Sequence, residues 1–258
     1  MTVWELVAVV VAGVAAGTIN TVVGSGSLIT FPTLVALGVP PIVANVSNNI
    51  GLVPGSATGA YGYRAELSGQ QRATRRLLPA SALGALVGAA LLISMPSGAF
   101  DVIVIVLIAV ALVLVVVQPR LAVAVARRRD GDDGGPGAGL IAAVFGAGVY
   151  GGYFGAAQGV ILLALLGIFL HSGGAGTALQ RANGIKNVLA LTVNAVAGVF
   201  FLVFAHDQIQ WSAVAAIAAG ASVGGVLGAK VGRMLPPAPL RAVIVVVGLL
   251  AIAKLATQ

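Results

Sequence analysis

The 258-residue chain is 59% hydrophobic and only 8% charged, with a mean hydropathy of +1.07, whereas an ordinary globular domain carries about 25% charged residues. That balance excludes water as the main solvent, and the lack of cysteine excludes disulfides and thiolate metal sites. The net charge of +7 does not point to nucleic acid, because the basic residues sit in short clusters between apolar runs rather than on an aromatic-interleaved patch.

Gly, Pro and charge punctuation predicts about ten apolar segments, over 4–22, 27–37, 42–62, 77–95, 100–118, 138–156, 158–170, 182–204, 211–230 and 239–256. The longer ones approach the roughly 20 residues that cross a bilayer as a helix. Their richness in Ala, Leu and Gly, with no alternation of polarity, argues against a membrane β-barrel. No Lys or Arg precedes Arg64, so 4–22 reads as a first membrane helix rather than a cleaved signal peptide. Segment 27–37 is unusually short and follows the small-residue break Gly24-Ser25-Gly26-Ser27. The next carries Asn45, Ser47, Asn48 and Asn49, and a basic loop with Arg64, Arg72, Arg75 and Arg76 precedes 77–95. Residues 119–137, with Arg127, Arg128, Arg129, Asp130, Asp132 and Asp133, read as a solvated linker between a first repeat, 1–118, and a second, 138–258. The second repeat has its own short segment, 158–170, after the break Gly155-Ala156-Ala157-Gln158. Segment 182–204 begins among Gln180, Arg181, Asn183, Lys186 and Asn187. Gly220, Gly224, Gly228 and Gly232 recur every four residues along 211–230 and just beyond it, which is a helix-packing face.

The halves correspond. Gly17, Asn20, Gly24, Ser25, Gly26 and Ser27 align without gaps on Gly148, Gly151, Gly155, Ala156, Ala157 and Gln158. Asn48 and Gly59 fall opposite Asn187 and Gly198 once about eight extra residues are allowed around 171–178. Charge bias is opposite at matched loops: 63–76 is basic while the loop around His206 and Asp207 has no Lys or Arg, and 95–100 is free of them while 230–241 holds Lys230, Arg233 and Arg241. Basic loops stay cytoplasmic. The predicted fold is therefore an all-α polytopic membrane protein of two inverted-topology repeats of about five segments each, with short, broken helices near the midplane. Loops 63–76, 119–137 and 230–241 are then cytoplasmic and both termini are outside.

Inverted repeats with broken helices recur in secondary transporters, whose substrates sit at the breaks. Backbone N–H groups at the starts of the short segments, with a positive dipole end, suit an anion; the competing reading is that these glycines only allow close packing. Lys186 lies three residues from Asn183 on a helical face and is either a substrate counter-charge or an interfacial lysine reaching the cytoplasmic surface. The segment interiors hold no Asp or Glu, so an anionic ligand would be its partner and no carboxylate proton relay exists. His171 and His206 lack metal-ligand spacing. Gly146, Gly148 and Gly151 fit G-x-G-x-x-G without the strand and acidic residue of a dinucleotide site.

AGTINTVVGSGSLITFP, from Ala16 to Pro32, with the following LGVPPIVANVSNNIGLVPGSATGAYGY, resembles the N-terminal signature of the TauE/SafE sulfite-exporter-like family, and GVYGGYFGAAQG and LQRANGIKNVLALTVNAVAG look like its repeated motif. The resemblance covers residues 8–255. It implies a multi-pass carrier of the bacterial inner membrane that moves sulfite, sulfonates or other small organic anions by alternating access, with no cofactor and no catalytic residue. The family's consecutive glycines are replaced here by Ser25 and Ala156-Ala157, which implies a differently shaped cavity. Carried onto this chain, the substrate-binding positions are Asn20, Gly24, Ser25, Gly26, Ser27, Asn48, Gln158, Asn183, Lys186 and Asn187. The partners implied are a small anion and the lipid bilayer, not nucleic acid, with self-association left open. Export could run down the inside-negative membrane potential with no coupling ion. An anion importer or channel of the same fold, an intramembrane enzyme, and a non-transporting assembly or receptor subunit are the alternatives; the enzyme would need a deep carboxylate or His pair, which the sequence lacks.

Overall fold

The computed structural model describes residues 1–127, 136–169, 175–231 and 237–255. Among them the chain forms ten α-helices and no strand: α1 (Val3–Val22), α2 (Ser27–Ala36), α3 (Pro41–Gly62), α4 (Gln71–Ser94), α5 (Ser97–Arg127), α6 (Ala138–Tyr153), α7 (Gln158–Phe169), α8 (Ala175–Phe204), α9 (Trp211–Val231) and α10 (Pro237–Leu255). The linker residues Arg128, Arg129, Asp130, Asp132 and Asp133, together with His171, Gly232 and Arg233, lie outside the described residues.

Each predicted segment is a helix, but three helices run past their predicted bounds. α4 begins at Gln71, so Arg72, Arg75 and Arg76 occupy its exposed first turns rather than a loop. α5 continues to Arg127, into residues expected to start the linker, and α8 begins at Ala175 rather than at 182. Arginine and alanine are good helix formers, so the end of an apolar stretch is not the end of a helix. α1 opens at a signal the sequence spells out: the Thr2 hydroxyl accepts from the Glu5 amide at 3.3 Å while the Glu5 carboxylate accepts from the Thr2 amide at 2.7 Å.

Among the described residues, four helical stretches are long and apolar enough to cross a membrane: Val3–Val22, Gln71–Ser94, Leu179–Phe204 and Trp211–Lys230. Their outer faces carry exposed apolar side chains, among them Val7 and Val11 on α1, Leu83 and Leu91 on α4, and Val199 and Val203 on α8. Lipid covers such a surface at no cost. α2 and α7 are different. With 10 and 12 residues at 1.5 Å per residue they rise about 15 and 18 Å, well short of the roughly 30 Å hydrocarbon core. α2 buries Leu28, Ile29, Phe31, Leu34 and Val35, with α10 packed against it, and α5 packs against α7. Both short helices are thus enclosed by protein.

Close interfaces join the halves crosswise, α1 and α3 with α9 and α6 with α4. A Cβ on Gly17 would lie 2.3 Å from the Ala221 carbonyl oxygen, and one on Gly148 2.7 Å from that of Ser81. On the opposing helices, Gly224 would meet the Val14 carbonyl at 2.2 Å and Gly84 that of Phe145 at 2.3 Å. Gly228 and Gly88 would meet the carbonyls of Thr18 and Val149 at 2.7 and 2.1 Å. The shift that aligns Gly17 with Gly148 also aligns Val14 with Phe145 and Thr18 with Val149, so one contact pattern recurs in both halves. Only residues without a side chain let these backbones approach so closely. Gly220, Gly224 and Gly228 therefore pack, as their spacing predicted; Gly84 and Gly88 do the same on α4.

Candidate functional site

α1 and α6 end in the same way. The amides of Val23 and Gly24 both donate to the Ile19 carbonyl, at 2.7 and 3.0 Å, and those of Phe154 and Gly155 both donate to the Tyr150 carbonyl, at 2.9 and 3.1 Å. Gly24 has φ +90 and Gly155 φ +74, a left-handed turn that glycine adopts without strain. On the far side the amide of Ile29 donates to the Gly26 carbonyl at 2.9 Å, and that of Val160 to the Ala157 carbonyl at 3.0 Å. Aligned residues thus make aligned hydrogen bonds.

The two breaks touch. The Gly159 amide donates to the Gly24 carbonyl at 3.0 Å, and a Cβ on Gly24 would lie 2.4 Å from the Gly159 Cα. One amide at the start of α7 is therefore taken by the other break. At the start of α2 no acceptor among the described residues reaches the Gly26 or Ser27 amides. Gly26 lies against α1, where a Cβ would come within 2.4 Å of the Ala16 carbonyl and 2.8 Å of the Asn20 Cβ. Next to the contact are two buried polar groups without a partner among the described residues, the Ser25 hydroxyl and the Gln158 Nε2. The Gln158 amide fills the space a Cβ on Gly151 would need, with Oε1 at 2.4 Å. In the first half Asn20 stands at the place of Gly151 and Ser27 at that of Gln158. Each break keeps one amide side chain, from opposite sides of the turn.

The turn at the end of α1 leaves the carbonyls of Asn20, Thr21 and Val22 without helical donors, and burial makes each costly to leave unpaired. Side chains of α8 close them. The Lys186 Nζ donates to the Asn20 carbonyl at 2.9 Å and to that of Thr21 at 3.0 Å; the Asn187 Nδ2 donates to Thr21 at 3.3 Å. The Asn183 Nδ2 reaches the Val22 carbonyl at 3.3 Å and the Tyr63 hydroxyl at 3.4 Å, while its Oδ1 has no partner among the described residues. Lys186 is 0% exposed, so its side chain points into the bundle and does not reach the interface. Its positive charge sits at the negative end of the α1 dipole. The Asn20 side chain continues the polar chain inward: its Nδ2 donates to the Ser56 hydroxyl at 3.4 Å, which also accepts from Asn194 at 3.0 Å.

Nine of the ten predicted positions, Asn20, Gly24, Ser25, Gly26, Ser27, Gln158, Asn183, Lys186 and Asn187, lie at the crossing or on the polar network closing α1. Asn48 lies elsewhere: its Oδ1 accepts from the Thr30 hydroxyl of α2. Its neighbour Asn45 donates to the Tyr153 carbonyl at 2.8 Å, closing α6 as Asn183 closes α1. Tyr153 aligns with Val22, so these bonds pair Asn45 with Asn183, Asn48 with Lys186 and Asn49 with Asn187. That is one residue away from the register expected on sequence, where Asn48 faced Asn187. Sequence reading missed Ser56, Asn194, Tyr63 and Gly159 as participants; Ser56 and Asn194 were detectable as polar interruptions of apolar helices, but Gly159 was one glycine among 36.

A family model described as sulfite exporter TauE/SafE matches residues 9–255. The chain belongs to the TauE/SafE sulfite exporter family. This TauE/SafE chain is also 33% identical over 96 residues to a probable membrane transporter protein, ORF9, of a Sinorhizobium species; the match covers 36% of each chain. It therefore spans about a third of the length of that curated relative. No solved structure matches. The TauE/SafE family is one of membrane transporters, and the apolar helices and enclosed half-length helices described above are those of a membrane protein.

Proposed function

We propose that the chain is a multi-pass carrier of the bacterial inner membrane that exports small oxyanions, sulfite or organosulfonates, by alternating access. The observation that carries this reading is the chemistry of the crossing. The groups collected there without partners are mostly hydrogen-bond donors: the Gly26 and Ser27 amides at the start of α2, the Ser25 hydroxyl and the Gln158 Nε2. The Lys186 ammonium lies one residue contact away, through the Asn20 backbone. Donors at a helix start recognise an anion, and binding supplies the partners that burial otherwise denies them. No group of three His, Cys, Asp or Glu capable of holding a metal occurs among the described residues, and the family is one of transporters. We read the matched breaks and crosswise contacts as two inverted-topology repeats around that site. The glycine interfaces run between halves, so the units that move against each other are α1 with α9 and α4 with α6, rather than residues 1–118 against 138–258.

The test is flux of sulfite and of a sulfonate from proteoliposomes containing the purified protein, with empty vesicles as control. Gln158→Leu keeps the bulk against Gly151 and removes the donor. Flux in the parent protein that falls at least about tenfold in folded Gln158→Leu supports an oxyanion at the crossing. Equal flux in both moves the substrate elsewhere, and flux in neither removes this substrate class.

A further inference from the structure

The end of α6 poses the same accounting problem as the end of α1 and answers it differently. Because Phe154 and Gly155 both donate to Tyr150, the carbonyls of Gly151, Gly152 and Tyr153 have lost their helical donors. Asn45 serves Tyr153. No donor among the described residues reaches the carbonyls of Gly151 and Gly152, both buried. Their counterparts on α1, the carbonyls of Asn20 and Thr21, are the two that bind the Lys186 ammonium. The residue matching Lys186 is Asn48, whose side chain is shorter and whose Oδ1 is engaged by Thr30. The residue matching Asn187 is Asn49, 7% exposed, and its Oδ1 is another acceptor with no partner among the described residues.

We propose that the Gly151 and Gly152 carbonyls and the Asn49 Oδ1 bind a monovalent alkali cation, with sodium as the probe, at the place where the other half carries its own cation on Lys186. Carbonyl oxygens at the C-terminal end of a half-length helix are hard, neutral ligands that coordinate such an ion. Neutral oxygens favour a single charge, since divalent ions are held by carboxylates and the matching site is satisfied by one ammonium. A cation here, beside an anion at the crossing, makes transport depend on the cation, where the sequence left the coupling ion open. The inference rests on the correspondence of the two halves and not on which anion is carried.

The test is equilibrium binding of ²²Na⁺ to the purified full chain in detergent without any anion substrate, so that its outcome is separate from that of the flux assay. Saturable binding near one ion per chain is expected, competed by Li⁺ or K⁺. Asn48→Lys supplies a tethered ammonium from the position matching Lys186, and Asn49→Leu removes the side-chain ligand; each is expected to weaken sodium binding at least about tenfold. Asn49→Asp adds a charge and is expected to tighten it. Thermal unfolding identifies which variants are folded, and Asn49→Asp, with the smallest change in volume, decides the case if Asn48→Lys and Asn49→Leu are not. Saturable binding altered in these directions supports the site. No saturable binding to the folded parent protein, or binding that the folded variants leave unchanged, overturns it.

Discussion

The end of α1 and the end of α6 share a backbone and differ in chemistry. Both turn through a left-handed glycine with the same pair of amide donors, Val23 and Gly24 in one and Phe154 and Gly155 in the other. Around α1 a lysine and two asparagines of α8 close all three released carbonyls; around α6 a single asparagine of α3 closes one. A helix broken inside a membrane must find partners in protein, ordered water or ligand. The two backbones make the same demand for partners, and the different side chains around them decide how each end meets it.

The comparison is broken most severely at the point where the two ends meet. Gly24→Val combines a left-handed φ of +90 with a Cβ 2.4 Å from the Gly159 Cα, and is expected to cost about 4 kcal/mol or more and leave no monodisperse protein on size exclusion. Gly38→Ala has a similar φ of +85 but nothing within 4 Å, so it isolates the conformational strain, at about 1–2 kcal/mol. Equal losses in the two would mean that the crossing itself carries no weight.

Next in size is the chemical difference between the halves. Lys186→Met strands the buried Asn20 carbonyl and leaves that of Thr21 with only the 3.3 Å bond from Asn187, and is expected to cost about 2–4 kcal/mol, read as the thermal unfolding of the purified protein. Asn48→Met at the matching position removes only the acceptor of the Thr30 hydroxyl and is expected to cost about 1–2 kcal/mol. Similar losses at both would mean that the ammonium is not the principal tie at the end of α1.

The correspondence is then sharpened at the packing faces. Gly17→Ala and Gly148→Ala place a methyl against the backbone carbonyls of Ala221 and Ser81, at 2.3 and 2.7 Å, and each is expected to lower stability by about 1–3 kcal/mol. A loss in one half without the other would show that the two interfaces are not equivalent under load. The smallest change is at the shared cap: Asn45→Ala and Asn183→Ala each free one carbonyl, at a cost of about 1–2 kcal/mol in the same assay. Asn45, with the shorter bond at 2.8 Å against 3.3 Å, is expected to lose more.

Much of this is legible in the sequence. The small-residue breaks at 24–27 and 155–158 mark the two short helices because glycine and a polar side chain interrupt an otherwise apolar run, and Lys186 stands out because the other charges in the predicted segments, Glu5, Asp101, Lys230, Arg241 and Lys254, all lie closer to a segment end. The crossing was not legible. Gly159 looks like any other glycine, and only its contact with Gly24 separates it from the packing glycines of α4 and α9. The exchange of Asn20 and Gly151 against Ser27 and Gln158 was hidden because alignment scores each position alone, whereas the conserved feature is one amide per break.

By itself the sequence determined the medium, the number and rough extent of the helices, the positions of the breaks and the membership of the halves in a common pattern. Those follow from local quantities: hydropathy summed over a window, the conformational freedom of glycine, and the cost of charge in lipid. Only the tertiary structure decided what closes each broken helix. It sent Lys186 inward to the carbonyls of α1 rather than outward to the interface, moved the correspondence between α3 and α8 by one residue, and tied each half's first helix to the other half's fourth. The physical reason is that a released carbonyl is indifferent to where its donor lies in the chain: it needs one within about 3 Å, and only the packed bundle determines which side chain that is.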